Sequence, residues 1–321
     1  MSKLLWHTIP VDDNGDILRM MIARKYLYLI ALAREKHFGR AALACHVSPS
    51  TLSAAIRDLE TELGVAVVER GKQFTGLTPE GQCVVDYAHR MVAGVEGLRQ
   101  ELAKLRHGLT GHLRLGVIPT ALTVVASLTS AFSRRHPLVM IEVLSLSTSE
   151  ILSRLQDFEL DAGIVYVESG LAVRHLLTVP LWQENHALLT PSGGPFEGRD
   201  NVSWLEAMQV PLCLLTPDMQ NRKTIDAVFA ELKRNVLPTL ESNSIISMLA
   251  HVCSGAWSAI LPLSVLELIG LPAGVRVLPL IEPAVVWATG LVVPQREPRS
   301  PMIDALLTEA YGLNDSFVKN E

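Results

Sequence analysis

The chain has 321 residues, of which 49% are hydrophobic and 19% are charged, and its formal net charge is −5. This composition is too apolar for a disordered chain, and the length is too great for one small core, so we expect two or three compact domains. The charge is uneven, with nets of −1 over residues 1–19, +3 over residues 20–107 and −7 over residues 108–321. A basic segment on an acidic body is a weak indication of nucleic-acid binding.

The apolar excess raises the alternative of a membrane protein. Residues 245–266 contain no charged side chain and are long enough to span a bilayer. Their serines, His251 and Pro262 suit a buried helix, turn and strand better than a lipid-facing helix. Residues 1–19 contain three aspartates and no apolar secretion segment, so we expect a cytoplasmic protein with no membrane partner.

The hydrophobic spacing over residues 24–63 predicts three helices. Apolar residues recur at three- and four-residue spacing from Tyr26, and again from Phe38. After the second segment, Ser48 supplies an N-cap oxygen and Pro49 a proline for the start of a third helix over residues 50–63. Residues 65–68 predict a short strand.

A long helix is predicted from residue 79 to about residue 107, bounded by Pro79 and Gly108. At 1.5 Å per residue it spans about 42 Å, which is too long to pack against one small domain. Such a helix usually pairs with a copy of itself, so we expect a homodimer through residues 79–107.

From residue 112 onward, strand and helix patterns alternate, which predicts a parallel sheet with helices on both faces. The pattern occurs in two cycles and indicates two similar α/β lobes. The predicted strands are residues 113–118, 140–145, 162–167, 187–189, 212–215, 239–241 and 259–261, and the predicted helices are residues 121–135, 149–158, 221–232 and 244–253.

Catalytic and metal-binding motifs are not evident. The sequence contains no GxSxG, HExxH, Walker loop or GxGxxG after a strand, so we expect no enzyme activity and no cofactor. The four cysteines are widely spaced without a CxxC pair, and we expect them to be small core residues without a metal. They are Cys45, Cys83, Cys213 and Cys253.

Residues 38–63 have the spacing of a helix-turn-helix, although an ordinary helical hairpin fits that spacing equally well. The residues themselves favour the first interpretation. The run "HFGRAALACHVSPSTLSAAIRDLETELGVAVVERGKQFTGLTPEG" resembles the winged helix-turn-helix of LysR-type transcriptional regulators. The resemblance continues through the long helix and the body, including "HLRLGVIP" and "SGAWSAILP".

This resemblance implies an α-helical winged helix-turn-helix domain plus a long linker helix, joined to a two-lobed α/β effector domain. The implied bounds are 20–78 for the DNA-binding domain, 79–107 for the dimerisation helix and 111–321 for the effector domain. Lobe I covers about residues 111–164 and 267–321, and lobe II about residues 165–266. Residues 1–19 are expected to be an extension or to reflect an alternative start at Met20 or Met21.

The expected recognition helix departs from the family pattern. The family commonly has Gln-Pro where this chain has Pro49 and Ser50, and an Arg where it has Ala54. Glutamine and arginine can each recognise a base through a pair of hydrogen bonds, and this helix has neither at those positions. We therefore expect its DNA recognition to depend more on phosphate contacts and DNA shape. The expected DNA-binding residues are Arg40, Ser48, Pro49, Ser50, Thr51, Ser53, Arg57 and, on the wing, Arg70 and Lys72.

The ends of parallel strands followed by helix N-termini form anion-friendly pockets. Four such places occur at corresponding points of the two lobes, which resembles the inducer cleft of LysR-type regulators, and we expect a small, anionic effector there. The candidate residues are Pro119, Thr120, Ser147, Thr148, Thr216, Asp218, Asn243 and Ser244. The segments "VIPTAL" and "LLTPDMQNR" are similar to the sequences of regulators of formate dehydrogenase operons.

The sequence therefore predicts a regulator that binds double-stranded promoter DNA as an oligomer and that responds to a small molecule. The resemblance to the family implies that this oligomer is a homotetramer. Two alternatives stay open. One is a redox-sensing regulator of the same family that uses Cys213 and Cys253. The other is a cytoplasmic small-molecule-binding α/β protein without DNA binding.

Overall fold

The computed structural model describes residues 24–69, 74–167 and 176–318. The expected extension over residues 1–19 lies outside the described residues, as do Arg70 and Lys72 of the expected wing. The chain forms two compact units. The first runs to Thr110 and also includes Pro298–Pro301, and the second consists of Gly111–Glu297 and the residues from Met302 onward.

The first unit contains the helices that the apolar spacing predicts. They are α1 (Arg24–Glu35), α2 (Phe38–Ala44), α3 (Pro49–Leu63) and α4 (Pro79–His107). Helices α1, α2 and α3 pack around a shared core in which Leu29, Leu52 and Leu59 are fully buried. The periodic apolar residues therefore form the inside of a three-helix unit, and the polar residues are left on its surface.

Local sequence signals set the ends of α3. The Oγ atom of Ser48 accepts a hydrogen bond from the backbone N–H of Thr51 over 3.1 Å, and Pro49 occupies the first helical position. The helix ends at Gly64, whose φ of 70° lies in the left-handed region that glycine adopts without a Cβ penalty.

The strand predicted for residues 65–68 is wrong. In the described residues of this segment, Val68 forms an isolated bridge with Leu77. The carboxylate of Glu60 accepts hydrogen bonds from the backbone N–H groups of Val67 and Val68, over 2.8 and 3.2 Å. These donors are satisfied by a side chain, so they are not available to a strand ladder.

The second unit is an α/β domain built on one sheet. Its strands are β1 (Gly111–Val117), β2 (Val139–Ser145), β3 (Ala162–Tyr166), β4 (Leu176–Pro191), β5 (Val202–Ser203), β6 (Leu212–Leu215), β7 (Leu240–Ser242), β8 (Ser258–Pro262), β9 (Val275–Ile281) and β10 (Val286–Pro294). Its helices are α5 (Val125–Arg135), α6 (Thr148–Gln156), α7 (Trp204–Ala207), α8 (Gln220–Glu231), α9 (Ile245–Cys253), α10 (Leu263–Ile269) and α11 (Pro301–Val318). A 3₁₀ turn, Pro119–Ala121, follows β1.

The strand order is β2-β1-β3-β10-β4-β8-β6-β7, with β9 paired to β4 and β5. The prediction of a parallel sheet is only partly right, since β1 pairs in parallel with β2 and β3, whereas β10 is antiparallel to β3 and β4, and β4 is antiparallel to β8 and β9. Hydrophobic alternation carries no information on strand direction, so the sequence pattern could not reveal the two antiparallel strands.

Strand β4 joins the two lobes. Its residues Leu176–Asn185 pair with β10, and its residues His186–Leu189 pair with β8. We therefore define the first lobe by β2, β1, β3, β10 and the first part of β4, and the second lobe by the rest of β4 with β8, β6, β7, β5 and β9. Because β9 pairs with β5 and the end of β4, the second lobe extends to Ile281, beyond the predicted boundary near residue 266.

Residues 245–266 form a helix, a turn and a strand as expected, followed by the start of α10. Helix α9 has nine residues and β8 is fully buried. Within residues 24–69, 74–167 and 176–318, no helix is both long and apolar enough to cross a membrane.

Candidate DNA-binding and effector sites

The start of α3 presents a cluster of exposed hydroxyl groups. The Oγ atom of Ser48 lies 2.8 Å from the hydroxyl oxygens of both Ser50 and Thr51. Ser48, Pro49, Ser50 and Thr51 are all exposed, whereas Leu52 and Ile56 on the opposite side of α3 are buried in the core. This helix end therefore combines the positive end of the helix dipole with small exposed hydroxyl side chains, and such a surface is suited to phosphate binding and to close approach to a DNA groove.

The two expected arginines of this unit are placed differently. Arg57 is exposed one turn further along α3, where its guanidinium donates to the Oγ atom of half-buried Ser53 over 3.1 Å. Arg40, on α2, is 63% exposed and donates to the backbone oxygen of Glu35 over 2.6 Å. The structure thus brings Ser53 and Arg57 together on the recognition helix, while Arg40 is tied to the end of α1.

The helix α4 carries an apolar stripe. Leu98, Leu102 and Leu105 are 47%, 51% and 81% exposed. These residues follow one another at three- and four-residue spacing, so they lie on one face of the helix. An exposed face of this kind on a 29-residue helix is suited to pairing with another helix.

In the first lobe, parallel pairing brings two pairs of expected effector residues to the same edge of the sheet. Val117 of β1 is in register with Ser145 of β2, so the segments that follow both strands begin at one edge. Thr120 is buried in the 3₁₀ turn after β1. Ser147 is the N-cap of α6 and forms a reciprocal capping box with Glu150, so its hydroxyl serves the helix end. The Oγ1 atom of neighbouring Thr148 is buried and has no hydrogen-bond partner among the residues that the structure describes.

In the second lobe, the parallel strands β6 and β7 also bring expected effector residues to one edge of the sheet. Leu215 is in register with Ser242, and the backbone N–H of Thr216 donates to the oxygen of Ser242 over 3.2 Å. Ser244 is the N-cap of α9 and accepts from the N–H of Ser247. Pro119 is buried in the first-lobe turn, whereas Asp218 and Asn243 are exposed. The eight expected residues therefore form one group on each lobe.

A buried polar cluster spans the two lobes, and of its members the sequence analysis predicted only Thr120. The Tyr166 hydroxyl donates to Oε2 of Glu184 over 2.9 Å and lies 3.0 Å from the Oγ1 atom of Thr120. Nδ2 of Asn221 lies 3.3 Å from the Tyr166 oxygen and 2.8 Å from Nε2 of His186. All five side chains are at most 3% exposed. We call these residues, Thr120, Tyr166, Glu184, His186 and Asn221, the inter-lobe cluster.

Burial shifts the pKa values of the titratable groups in this cluster. It raises the pKa of Glu184 from 4.5 to about 7, against the opposing effect of hydrogen bonds from Tyr166 and Ser264. It lowers the pKa of His186 from 6.5 to about 3 and, together with the nearby charge of Glu184, raises the pKa of Tyr166. The neutral forms of His186 and Tyr166 therefore dominate near neutral pH, and Glu184 titrates there. Titratable residues within apolar segments such as "AGIVY" were the signal available in the sequence.

The cysteines bear on the redox alternative. All four are free thiols. Cys213 is fully buried in β6, and burial raises the pKa of its thiol to about 11, whereas Cys253 is exposed at the end of α9. Because the thiolate is the reactive form, a raised pKa makes Cys213 a poor nucleophile.

Both units match known protein families. Residues 23–82 match the bacterial regulatory helix-turn-helix proteins of the lysR family, and residues 106–311 match the LysR substrate binding domain. A probable hydrogen peroxide-inducible genes activator of Mycobacterium xenopi is 34% identical over 173 residues, which is 54% of this chain and 90% of the relative.

Two further similarities extend over most of the chain. The DNA-binding transcriptional dual regulator OxyR of Escherichia coli (strain K12) is 28% identical over 304 residues, covering 93% of this chain and 99% of the relative. A solved structure of a full-length OxyR variant from Pseudomonas aeruginosa has a TM-score of 0.70 and 28% identity, and the match covers 90% of this chain and 94% of that one. These relatives give no support to the formate dehydrogenase subtype.

A helix-turn-helix unit with an exposed recognition helix, followed by a two-lobed α/β domain, defines a ligand-responsive DNA-binding regulator. The chain belongs to the LysR family of transcriptional regulators. It is a DNA-binding transcriptional regulator with an effector-binding domain, and not an enzyme.

Proposed function

We propose that this regulator acts in the cytoplasm, binds promoter DNA through the start of α3, dimerises through residues 79–107 and further assembles into a homotetramer. The exposed hydroxyl cluster at the start of α3 carries the DNA-binding proposal, since the apolar side of the same helix is committed to the core. Ser50, Thr51, Ser53 and Arg57 contact the groove, Ser48 and Pro49 shape the helix start, and Arg40, Arg70 and Lys72 contact phosphates. In this proposal, residues 20–78 form the DNA-binding domain, residues 79–107 form the dimerisation helix and residues 111–321 form the effector domain.

A mobility-shift assay tests the DNA-binding residues. The full chain is mixed with the DNA upstream of its own gene at two salt concentrations, beside Ser50→Ala and an Asp58→Asn control on the exposed part of α3. We expect wild-type affinity to fall steeply with salt because bound phosphates release counterions, and Ser50→Ala to bind more weakly at both concentrations. Binding that is absent at both salt concentrations would instead support the small-molecule-binding alternative without DNA binding.

The exposed stripe of α4 supports the dimer. Leu102→Glu places a charge in the middle of the stripe, and Lys104→Glu places one on an exposed polar position of the same helix. We expect sedimentation to show that Leu102→Glu shifts the chain to smaller species, because burying a charge in an apolar interface is costly. Equal sedimentation of both variants and wild type would contradict pairing through this face.

For the effector, we propose a small anion bound by the groups that follow the strand ends. The buried Oγ1 atom of Thr148 supports this proposal, because it lies at the start of α6 and donates to no residue in the described part of the chain. The other proposed residues are Pro119, Thr120, Ser147, Thr216, Asp218, Asn243 and Ser244.

A thermal-shift screen of small carboxylates tests the effector site. A ligand present at about 100 times its Kd should stabilise its domain by about 2.7 kcal/mol. We expect Thr148→Val to lose the shift, while Thr129→Val on α5 keeps it. A carboxylate that stabilises wild type and Thr148→Val equally would remove Thr148 from the site.

A second candidate function is redox sensing through Cys213 and Cys253. The names of the relatives favour it, since several are hydrogen peroxide-inducible genes activators. The buried, high-pKa thiol of Cys213 opposes it. If regulation of a reporter gene by peroxide survives both Cys213→Ser and Cys253→Ser, this candidate is eliminated.

A further inference from the structure

The inter-lobe cluster lies where β4 passes from one lobe to the other. Glu184 belongs to the last part of β4 that pairs with β10, and His186 is the first residue that pairs with β8. Tyr166 ends β3 of the first lobe, and Asn221 lies in the first turn of α8 in the second lobe. The cluster therefore connects both lobes to the strand that any relative movement of the lobes would bend.

The hydrogen bonds of the cluster have a defined direction when Glu184 is ionised. A carboxylate only accepts, so Tyr166 donates to it. The Tyr166 oxygen then accepts from the amide of Asn221 and from the hydroxyl of Thr120. The same Asn221 amide donates to Nε2 of the neutral His186 ring. Because a donor that faces a charge is polarised, the Tyr166 oxygen is a stronger acceptor for Asn221 in this state.

We propose that the inter-lobe cluster is a proton-operated contact between the two lobes, in which protonation of Glu184 reverses the hydrogen bonds through Tyr166 to Thr120 and weakens the hold on Asn221 at the start of α8. The proposal rests on the second unit being the effector domain, since it describes how that domain's lobes are coupled.

One proton is taken up in this change, and no covalent bond other than the new O–H forms. The protonated Glu184 donates to the Tyr166 oxygen, Tyr166 turns to donate to Thr120, and the Thr120 hydroxyl stops donating inward. The Asn221 amide still reaches the Tyr166 oxygen, but that oxygen no longer faces a negative charge. The start of α8 is then held less tightly.

Few other charges face Glu184. Among the described side chains, Tyr166 approaches it from β3, Ser264 donates to its Oε1 from α10 over 3.4 Å, and Trp287 lies opposite it on β10. His186 faces the cluster from the same strand, and no ion pair with a described lysine or arginine involves Glu184. Arg222, next to Asn221, is engaged with Asp226 and Glu241.

The absence of a compensating cation on the described residues explains why burial dominates Glu184 and raises its pKa to about 7. His186 stays neutral across the same range, because its pKa is lowered to about 3. Proton exchange near neutral pH within this cluster therefore occurs at Glu184.

Hydrogen exchange of the full chain tests the proposal. At about pH 8, where Glu184 is ionised, we expect the hydrogen-bonded amides at the start of α8, from Lys223 onward, to exchange about fivefold faster in Glu184→Gln than in wild type, the effect of weakening about one hydrogen bond. At about pH 6, where wild-type Glu184 is protonated, the two proteins should exchange alike. The control is Glu231→Gln, which changes an exposed carboxylate on α8 and should match wild type at both pH values.

A second variant keeps the test decisive if Glu184→Gln does not fold. Tyr166→Phe removes the hydroxyl through which the change is passed and the oxygen that accepts from Asn221. The start of α8, from Lys223 onward, should therefore exchange faster than in wild type at both pH values, and the excess over wild type should be larger at about pH 8 than at about pH 6. Equal exchange of these variants and wild type at both pH values overturns the proposal. Mobility-shift assays on the same samples distinguish failure of this proposal from failure of the proposed function. If wild type does not bind DNA, the proposed function is refuted, whereas the exchange result still tests the inter-lobe cluster.

Discussion

Nδ2 of Asn221 lies 2.8 Å from Nε2 of His186, and this contact joins the first turn of α8 to the strand that links the two lobes. The His186 ring also meets the Trp287 ring edge-on, with 4.3 Å between ring centroids. Because burial keeps His186 neutral, its Nε2 accepts from the amide of Asn221. A neutral imidazole, an amide and an aromatic ring thus fix the geometry at the inter-lobe connection.

The first prediction concerns the pH dependence of stability, to which His186 and Glu184 contribute with opposite signs. The folded state binds a proton on His186 less readily than the unfolded chain, so its contribution to stability is lost as pH falls from 6.5 to about 3. The folded state binds a proton on Glu184 more readily, so this contribution is lost as pH rises from 4.5 to about 7. In wild type the two pH dependences of the free energy of unfolding therefore oppose each other between pH 4.5 and pH 6.5.

Single variants should separate these slopes. In His186→Gln, the free energy of unfolding should fall by about 3 kcal/mol as pH rises through the Glu184 range. In Glu184→Gln, it should instead rise with pH through the His186 range. Denaturant unfolding followed by tryptophan fluorescence measures both, since Trp182, Trp204, Trp257 and Trp287 all lie in the second unit. Parallel pH profiles for the two variants would contradict the assignment.

The second prediction concerns two glycines of α4. A Cβ atom on Gly81 would lie 1.9 Å from the backbone oxygen of Val67, whereas one on Gly94 would meet nothing within 4 Å. Gly81→Ala should therefore lower the free energy of unfolding of the first unit by more than about 2 kcal/mol, because backbone must move. Gly94→Ala should raise it by up to about 1 kcal/mol through helix propensity. Thermal unfolding compares them, and equal effects would show that the close approach is not rigid.

The third prediction separates the two roles of hydroxyls at the start of α3. Ser48→Ala removes an N-cap and should cost about 1 kcal/mol of stability as well as DNA affinity. Ser50→Ala removes an exposed hydroxyl that caps nothing, so it should weaken DNA binding and leave stability within about 0.5 kcal/mol. Denaturant unfolding and mobility shifts on the same preparations check this. A stability loss in Ser50→Ala as large as that in Ser48→Ala would contradict the division of roles.

The fourth prediction concerns Arg70, in the expected wing. If Arg70 contacts phosphate, Arg70→Ala should weaken binding to specific and random DNA alike and reduce the salt slope by about one. Arg134→Ala, on α5 of the second unit, provides a charge-matched control and should leave both affinities unchanged. A loss confined to one operator sequence would assign Arg70 to base reading instead.

The sequence determined the helices of the first unit. Apolar spacing placed its helices, and the ends of α3 and α4 follow from Ser48, Pro49, Gly64 and Pro79, whose effects act within a few residues. These signals are local, so the chain specifies them without tertiary contacts. The resemblance that identified the family rests on the same residues.

Only the tertiary structure decided how the second unit is connected. The antiparallel course of β4 and β10 depends on which strands meet, and hydrophobic alternation is the same in either direction. The inter-lobe cluster joins residues 18, 35, 46 and 55 positions apart in the chain. Its pKa shifts arise from burial, which is a property of the packed domain. The sequence therefore determined the class of protein, and packing alone determined where its lobes are coupled.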